Sequence, residues 1–128
     1  MANELMFYTY PSCTSCRKTK AFLQDQQLNV SERHIFRDAP SVDELLTLLT
    51  LCDNGVESLL ATRSQAFKQL DIDVDDLKLS ELLQLMSENP KLLKRPILTD
   101  GKEVIVGYDK VSIETYARRH DLTTTNVS

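Results

Sequence analysis

Two cysteines separated by two residues, Cys13-Thr14-Ser15-Cys16, constrain this chain more than any other feature. A short apolar, β-favouring run (Leu5-Met6-Phe7-Tyr8-Thr9) leads into them, and a helix-compatible stretch from Thr19 to Gln27 follows. The dithiol therefore falls on a strand-to-helix turn, where this spacing reads as redox chemistry. A cysteine at a helix start meets unpaired backbone N–H groups and the positive end of the helix dipole, and both favour the thiolate. Arg17, Lys18 and Lys20 add positive charge in the same turn. Cys13, the more N-terminal sulfur, is the expected reactive thiol and Cys16, one turn in, its resolving partner. Half of a zinc site and a pair of inert buried thiols are the alternatives. A zinc site lacks its second half, because Cys52, His34 and His120 are scattered rather than paired.

The chain has 128 residues, room for one hydrophobic core. Its net charge of −4 argues against unaided binding to nucleic acid or to an anionic membrane. Three cysteines do not make a disulfide scaffold. With no signal-peptide pattern and no apolar run near 18 residues, a reducing cytoplasm is the expected compartment. A CxxC pair there is a switch or a catalyst, since its disulfide does not normally persist.

Local signals order the rest of the chain. Residues 29 to 36 carry Val30, Ile35 and Phe36 and suit a second strand. Pro40-Ser41-x-x-Glu44 has capping-box spacing before a helix with a broad apolar face (Val42, Leu45, Leu46, Leu48, Leu49), and Asp53-Asn54-Gly55 should end it, with Gly55 free to take positive φ. Short helices are expected over Val56 to Leu60 and Ser64 to Leu70, and another over Ser80 to Glu88, stopped by Asn89-Pro90. Ile97-Leu98-Thr99 and Glu103-Val104-Ile105-Val106 flank Asp100-Gly101, a hairpin signal. A last helix should run from Asp109 to Arg119. The Thr-rich stretch 121–128 reads as a disordered tail.

The order is thus β-α-β, a helical block of about 50 residues, then β-β-α. This is an α/β, thioredoxin-like plan: a mixed four-stranded sheet with a helical insertion. Residues 1–120 are expected to form a single domain, in which about 1–38 and 95–120 make the redox core and about 40–93 the insertion. That insertion is expected to sit on the sheet's end or as a small subdomain. In such architectures a cis-proline precedes the third strand and faces the redox cysteine, which nominates Pro96. Arg95 would then project near Cys13, where a guanidinium supports a thiolate or an oxyanion; a surface arginine in a basic run is the plainer reading. Arg63 stands isolated between two short helices, Cys52 reads as a small apolar residue at a helix end, and His34 and His120 read as surface residues. Asp71-x-Asp73-x-Asp75 is not a calcium loop, since Asp76 and Leu82 stand where glycine and glutamate are required.

Taken together, Pro11-Ser12-Cys13-Thr14-Ser15-Cys16-Arg17-Lys18, Thr62-Arg63-Ser64, Leu93-Lys94-Arg95-Pro96-Ile97 and Val106-Gly107-Tyr108 resemble, in order and spacing, the Spx regulators of the arsenate-reductase-like family. The similarity runs from about residue 5 to residue 120. It implies a cytoplasmic, non-enzymatic regulator of thiol and oxidative stress genes, a monomer without cofactor or metal. Such a regulator binds the C-terminal domain of the RNA polymerase α subunit and meets promoter DNA only through the polymerase. It further implies that Cys13 and Cys16 form the thiol/disulfide switch, that Gly55 belongs to the polymerase contact, and that Arg63, Arg95 and Pro96 form the switch and anion pocket. Control by a Clp-type protease acting on the C-terminal end is also implied. The chain departs from the pattern in its polar ending and in Thr50, where a basic residue is expected.

The competing reading is an arsenate reductase-like enzyme with Cys13 as nucleophile. Enzymes of that kind hold the oxyanion with three arginines. Arg63 and Arg95 match two, while Gly107-Tyr108 stands where the third would fall. One missing charge-assisted contact costs about 1.5–3 kcal/mol. A general thiol-disulfide oxidoreductase is the third reading, and it leaves Arg63, Gly55 and the helical block without a role.

Overall fold

The computed structural model describes residues 5–53 and 55–127, with side chains as far as Arg119. Four strands, β1 (Leu5–Thr9), β2 (Val30–His34), β3 (Ile97–Thr99) and β4 (Val104–Val106), form one sheet in the order β2-β1-β3-β4. β1 runs parallel to β2 and antiparallel to β3, and β3 pairs antiparallel with β4. Among the described residues five α-helices accompany it: α1 (Thr14–Asp25), α2 (Val42–Thr50), α3 (Gln65–Leu70), α4 (Leu79–Glu88) and α5 (Lys110–Val127).

Strand alternation gives this sheet two apolar faces, and each is covered. Leu5 and Phe7 of β1 and Leu98 of β3 pack with Leu23 of α1 and with Ile113 and Tyr116 of α5. Tyr8 and Ile97 point the other way and join Leu45, Leu48, Leu82, Leu83 and Met86 of the insertion. The helical block therefore lies against a face of the sheet, not at its end or apart as a subdomain. The physical reason is that Tyr8, Ile97, Val104 and Val106 would otherwise present an uncovered apolar surface to water.

The local signals operate as their chemistry requires. Ser41 accepts the Glu44 amide at 3.1 Å while Glu44 accepts the Ser41 amide at 3.0 Å, closing the capping box of α2. Ser64 caps α3 by accepting the Phe67 amide at 3.1 Å. Gly101 turns the hairpin at φ +90°. The expected short helix after Gly55 is a single 3-10 turn over Gly55–Ser58, and a further 3-10 turn, Val74–Asp76, interrupts the acidic linker, with Asp73 accepting the Asp75 amide. Helix α5 continues through residues 121–127, where composition points to a disordered tail. No glycine or proline follows Gly107, so nothing in that stretch forces the backbone out of helix.

Candidate functional site

Cys13 is the N-cap of α1. Its backbone is extended (φ −84°, ψ 119°), and its sulfur accepts the amide of Cys16 at 3.3 Å. The Tyr10 carbonyl accepts the Cys13 amide at 3.0 Å, which fixes the turn from the other side. Cys13 is partly exposed, whereas Cys16 is 1% exposed. Burial pushes the Cys16 thiol up to about 11, and its contact with the Cys13 side chain adds to the rise. Cys16 therefore stays protonated near neutral pH and can share its proton with the Cys13 sulfur. A partly exposed sulfur at a helix N-terminus beside a buried, protonated one is the arrangement in which attack and resolution fall to different cysteines. Both thiols are reduced here, as is Cys52.

Pro96 is cis, as its place before β3 suggests, and it is buried. The β1–β3 register ends at Tyr8 opposite Ile97. Two residues further along each strand, the same register sets Tyr10 across from Arg95. The Arg95 guanidinium lies 5.9 Å from the ring centre of Tyr10 and 5.9 Å from that of Phe36. Arg95 also faces a cleft of about 580 Å³ with Lys94, Cys52 and Ser58. Cys52 is part-buried there. Its thiol donates to the Leu48 carbonyl at 3.3 Å, and burial pushes its pKa up.

Arg63 is exposed and lines a separate cleft of about 550 Å³ with Glu57, Ser64 and Lys94. Lys94 borders both clefts, so the two arginines are bridged by a cation that reads, from sequence, as one more member of a basic run. Neither cleft is lined by Cys13 or Cys16. Gly55 is exposed at φ +64°, with no atom within 4 Å of where a side chain would begin. It opens the 3-10 turn between α2 and α3.

Three other residues carry too little local signal for sequence to single them out. Tyr10 and Phe36 bear no chemistry alone; only the extended register would have placed Tyr10 against Arg95. His34 is half-buried rather than a plain surface residue: its Nδ1 accepts the Phe36 amide at 3.2 Å, and its ring meets Tyr10 edge-on at 5.7 Å. The side chain of His120 lies outside the described residues. Among the described residues no group of three His, Cys, Asp or Glu side chains is placed to hold a metal ion, and no helix is long and apolar enough to cross a membrane.

The ArsC family profile matches residues 8–116, which takes in the dithiol turn, both clefts and the cis-proline. The chain belongs to the ArsC family. Within that family it is 49% identical over 109 residues to the regulatory protein MgsR of Bacillus subtilis, covering 85% of this chain and 86% of that one. It is 43% identical over 115 residues to the global transcriptional regulator Spx of Enterococcus faecalis, covering 90% and 87%. Among solved ArsC-type structures, an arsenate reductase from Vibrio cholerae superposes with a TM-score of 0.80 at 27% identity, covering 90% of this chain and 98% of that one. The two relatives named are regulators, while the architecture is shared with an arsenate reductase.

Proposed function

We propose that this chain is a redox-sensing transcriptional regulator: a Cys13–Cys16 thiol/disulfide switch that binds the C-terminal domain of the RNA polymerase α subunit and controls genes of thiol and oxidative stress. The observation that carries the reading is the Cys16 amide resting on the Cys13 sulfur at 3.3 Å, which keeps a buried second thiol one turn from the partly exposed first. Bridge formation removes two electrons and two protons from the pair, and an oxidant such as diamide or a peroxide takes them up. Bonding to Cys16 turns the Cys13 sulfur from a thiol acceptor into a disulfide sulfur, which alters the cap at the start of α1. That local change is what a docked partner would feel.

Gly55, exposed on its turn, is the proposed polymerase contact. Arg63, Arg95 and Pro96 are the proposed switch and anion pocket. The net charge of −4 supports DNA engagement through the polymerase rather than from this chain alone. Residues 1–120 act as one cytoplasmic, monomeric, non-enzymatic domain on this reading, and a Clp-type protease limits its abundance.

The likeness to arsenate reductases supports a second reading, with Cys13 as nucleophile. Against it, Gly107 and the exposed Tyr108 offer no third arginine, and Arg63 opens into a cleft that neither switch cysteine lines. Two assays separate the readings. Diamide should bridge Cys13 to Cys16 in the wild type, and Cys13→Ala should abolish the transcriptional response to diamide. An intact response in Cys13→Ala cells sinks the switch. Arsenate turnover with a thiol donor should be absent, and robust turnover would establish the enzyme instead.

A further inference from the structure

Strand and helix spacing bring one hydroxyl to the buried sulfur of the dithiol. Leu5, Phe7 and Thr9 alternate onto the face of β1 that α1 covers, and Leu5 and Phe7 pack there with Leu23. Cys16, Thr19 and Leu23 form the buried side of α1. Thr9 and Cys16 therefore meet at the end of this interface nearest the dithiol turn, where both line a cleft of about 250 Å³. Thr9 is 9% exposed and Cys16 1%. The Thr9 hydroxyl and the Tyr10 backbone both hydrogen-bond the Cys16 sulfur, and each draws its pKa down against the larger effect of burial. Thr19, the neighbouring buried hydroxyl, is committed elsewhere, donating to the Ser15 carbonyl at 2.7 Å. Thr9 itself is fixed by the sheet: its carbonyl accepts the Ile35 amide at 3.1 Å, and it pairs in register with His34.

A buried thiol that must become a nucleophile gains most from a donor already aimed at it. In the proposed switch a peroxide takes the electron pair of the Cys13 sulfur and leaves it as a sulfenic acid. The Cys16 sulfur then attacks the Cys13 sulfur. The S–S bond forms as the S–O bond breaks, and the departing hydroxide leaves as water with the Cys16 proton. We infer that Thr9 is a positioning residue for this second step, its hydroxyl donating to the Cys16 sulfur as negative charge gathers there. The inference deepens the proposed switch and rests on that reading. Arg17 and Lys20 of α1 and Glu32 of β2 are the charged residues lining the same cleft, and Lys20 is engaged with Glu32 at 2.8 Å. Removing a hydrogen bond to a charged sulfur raises its pKa by about one unit. The thiolate fraction then falls about tenfold, while greater basicity returns about threefold in nucleophilicity, so resolution slows about threefold.

The test is a quenched time course of the reduced full-length chain at neutral pH, with hydrogen peroxide in excess so that the second step sets the rate. Peptide mass spectrometry reports the Cys13–Cys16 bridge and, with dimedone present, the trapped sulfenic acid of Cys13. Thr9→Val, which puts a methyl where the hydroxyl stood, should bridge about threefold more slowly and accumulate more dimedone adduct on Cys13. Thr9→Ala should do the same, which keeps the inference testable if Thr9→Val fails to fold. Thr9→Ser keeps the hydroxyl and should bridge at the wild-type rate. A wild-type bridging rate in either folded variant that lacks the hydroxyl, or a Thr9→Ser as slow as Thr9→Val, overturns the inference. The switch itself fails separately, by wild-type Cys13 and Cys16 not bridging under peroxide.

Discussion

The sulfur of Cys13 caps the helix that carries Cys16, accepting the Cys16 amide at 3.3 Å. The same atom is thus both the partly exposed sulfur of the proposed switch and a small structural support. Serine is among the better N-cap residues, and its oxygen is a stronger acceptor than a thiol. Cys13→Ser should therefore leave stability in urea unchanged or raise it by up to about 0.5 kcal/mol, while abolishing the diamide-induced bridge seen on non-reducing gels. A large loss of stability would show that the sulfur does more than cap.

Cys52 faces the Arg95 cleft, and its thiol already donates to the Leu48 carbonyl. A serine can make the same bond. Cys52→Ser should leave the rate of bridging between Cys13 and Cys16 within about twofold of wild type and change stability by less than about 1 kcal/mol. A lost bridge in this variant would mean that the third thiol takes part in the exchange.

Glu44 welds β2 to α2. It pairs with both terminal nitrogens of Arg33, accepts the Tyr8 hydroxyl at 3.3 Å and completes the α2 capping box. The Arg33 guanidinium, opposed by partial burial, holds its carboxyl down at about 2 from an ordinary 4.5. A carboxylate with a depressed native pKa adds stability that is present above the unfolded value and lost as pH falls towards the native one. With the pair partly exposed, screening reduces the effect to about 1–2 kcal/mol. Glu44→Gln should cost about that much in urea titrations at pH 7, and the gap to wild type should narrow between pH 4.5 and pH 2. A gap that persists undiminished at the acid end would assign the loss to packing instead.

Element order is legible because its signals are local. Ser41 with Glu44, Ser64, Asp100-Gly101 and the Cys13 turn each announce a boundary within four residues. What stays hidden is long-range. Nothing near Glu44 in sequence reveals Arg33 eleven residues earlier, and nothing in the insertion says which face of the sheet it covers until Tyr8 and Ile97 are paired. The candidate site is legible in the same measure. Cys13, Cys16 and Pro96 follow from spacing and element order, whereas the placement of Arg95 by Tyr10 and Phe36 depends on a strand register that spacing does not supply.

Gly55 separates backbone strain from partner contact. At φ +64° any side chain incurs about 1–2 kcal/mol of strain, but no atom lies within 4 Å to clash with it. Gly55→Ala and Gly55→Arg should therefore destabilise the chain about equally and leave it folded. Only the arginine, with its bulk and charge on an open surface, should abolish binding to the polymerase α domain. Equal loss of binding in both variants would trace the effect to the turn's conformation.

The most direct measurement is a pull-down with the isolated C-terminal domain of the RNA polymerase α subunit as bait and the full-length wild-type chain as prey, reduced and diamide-oxidised side by side. The account predicts retention in at least one redox state and its loss with Gly55→Arg. No retention by wild type in either state would contradict it.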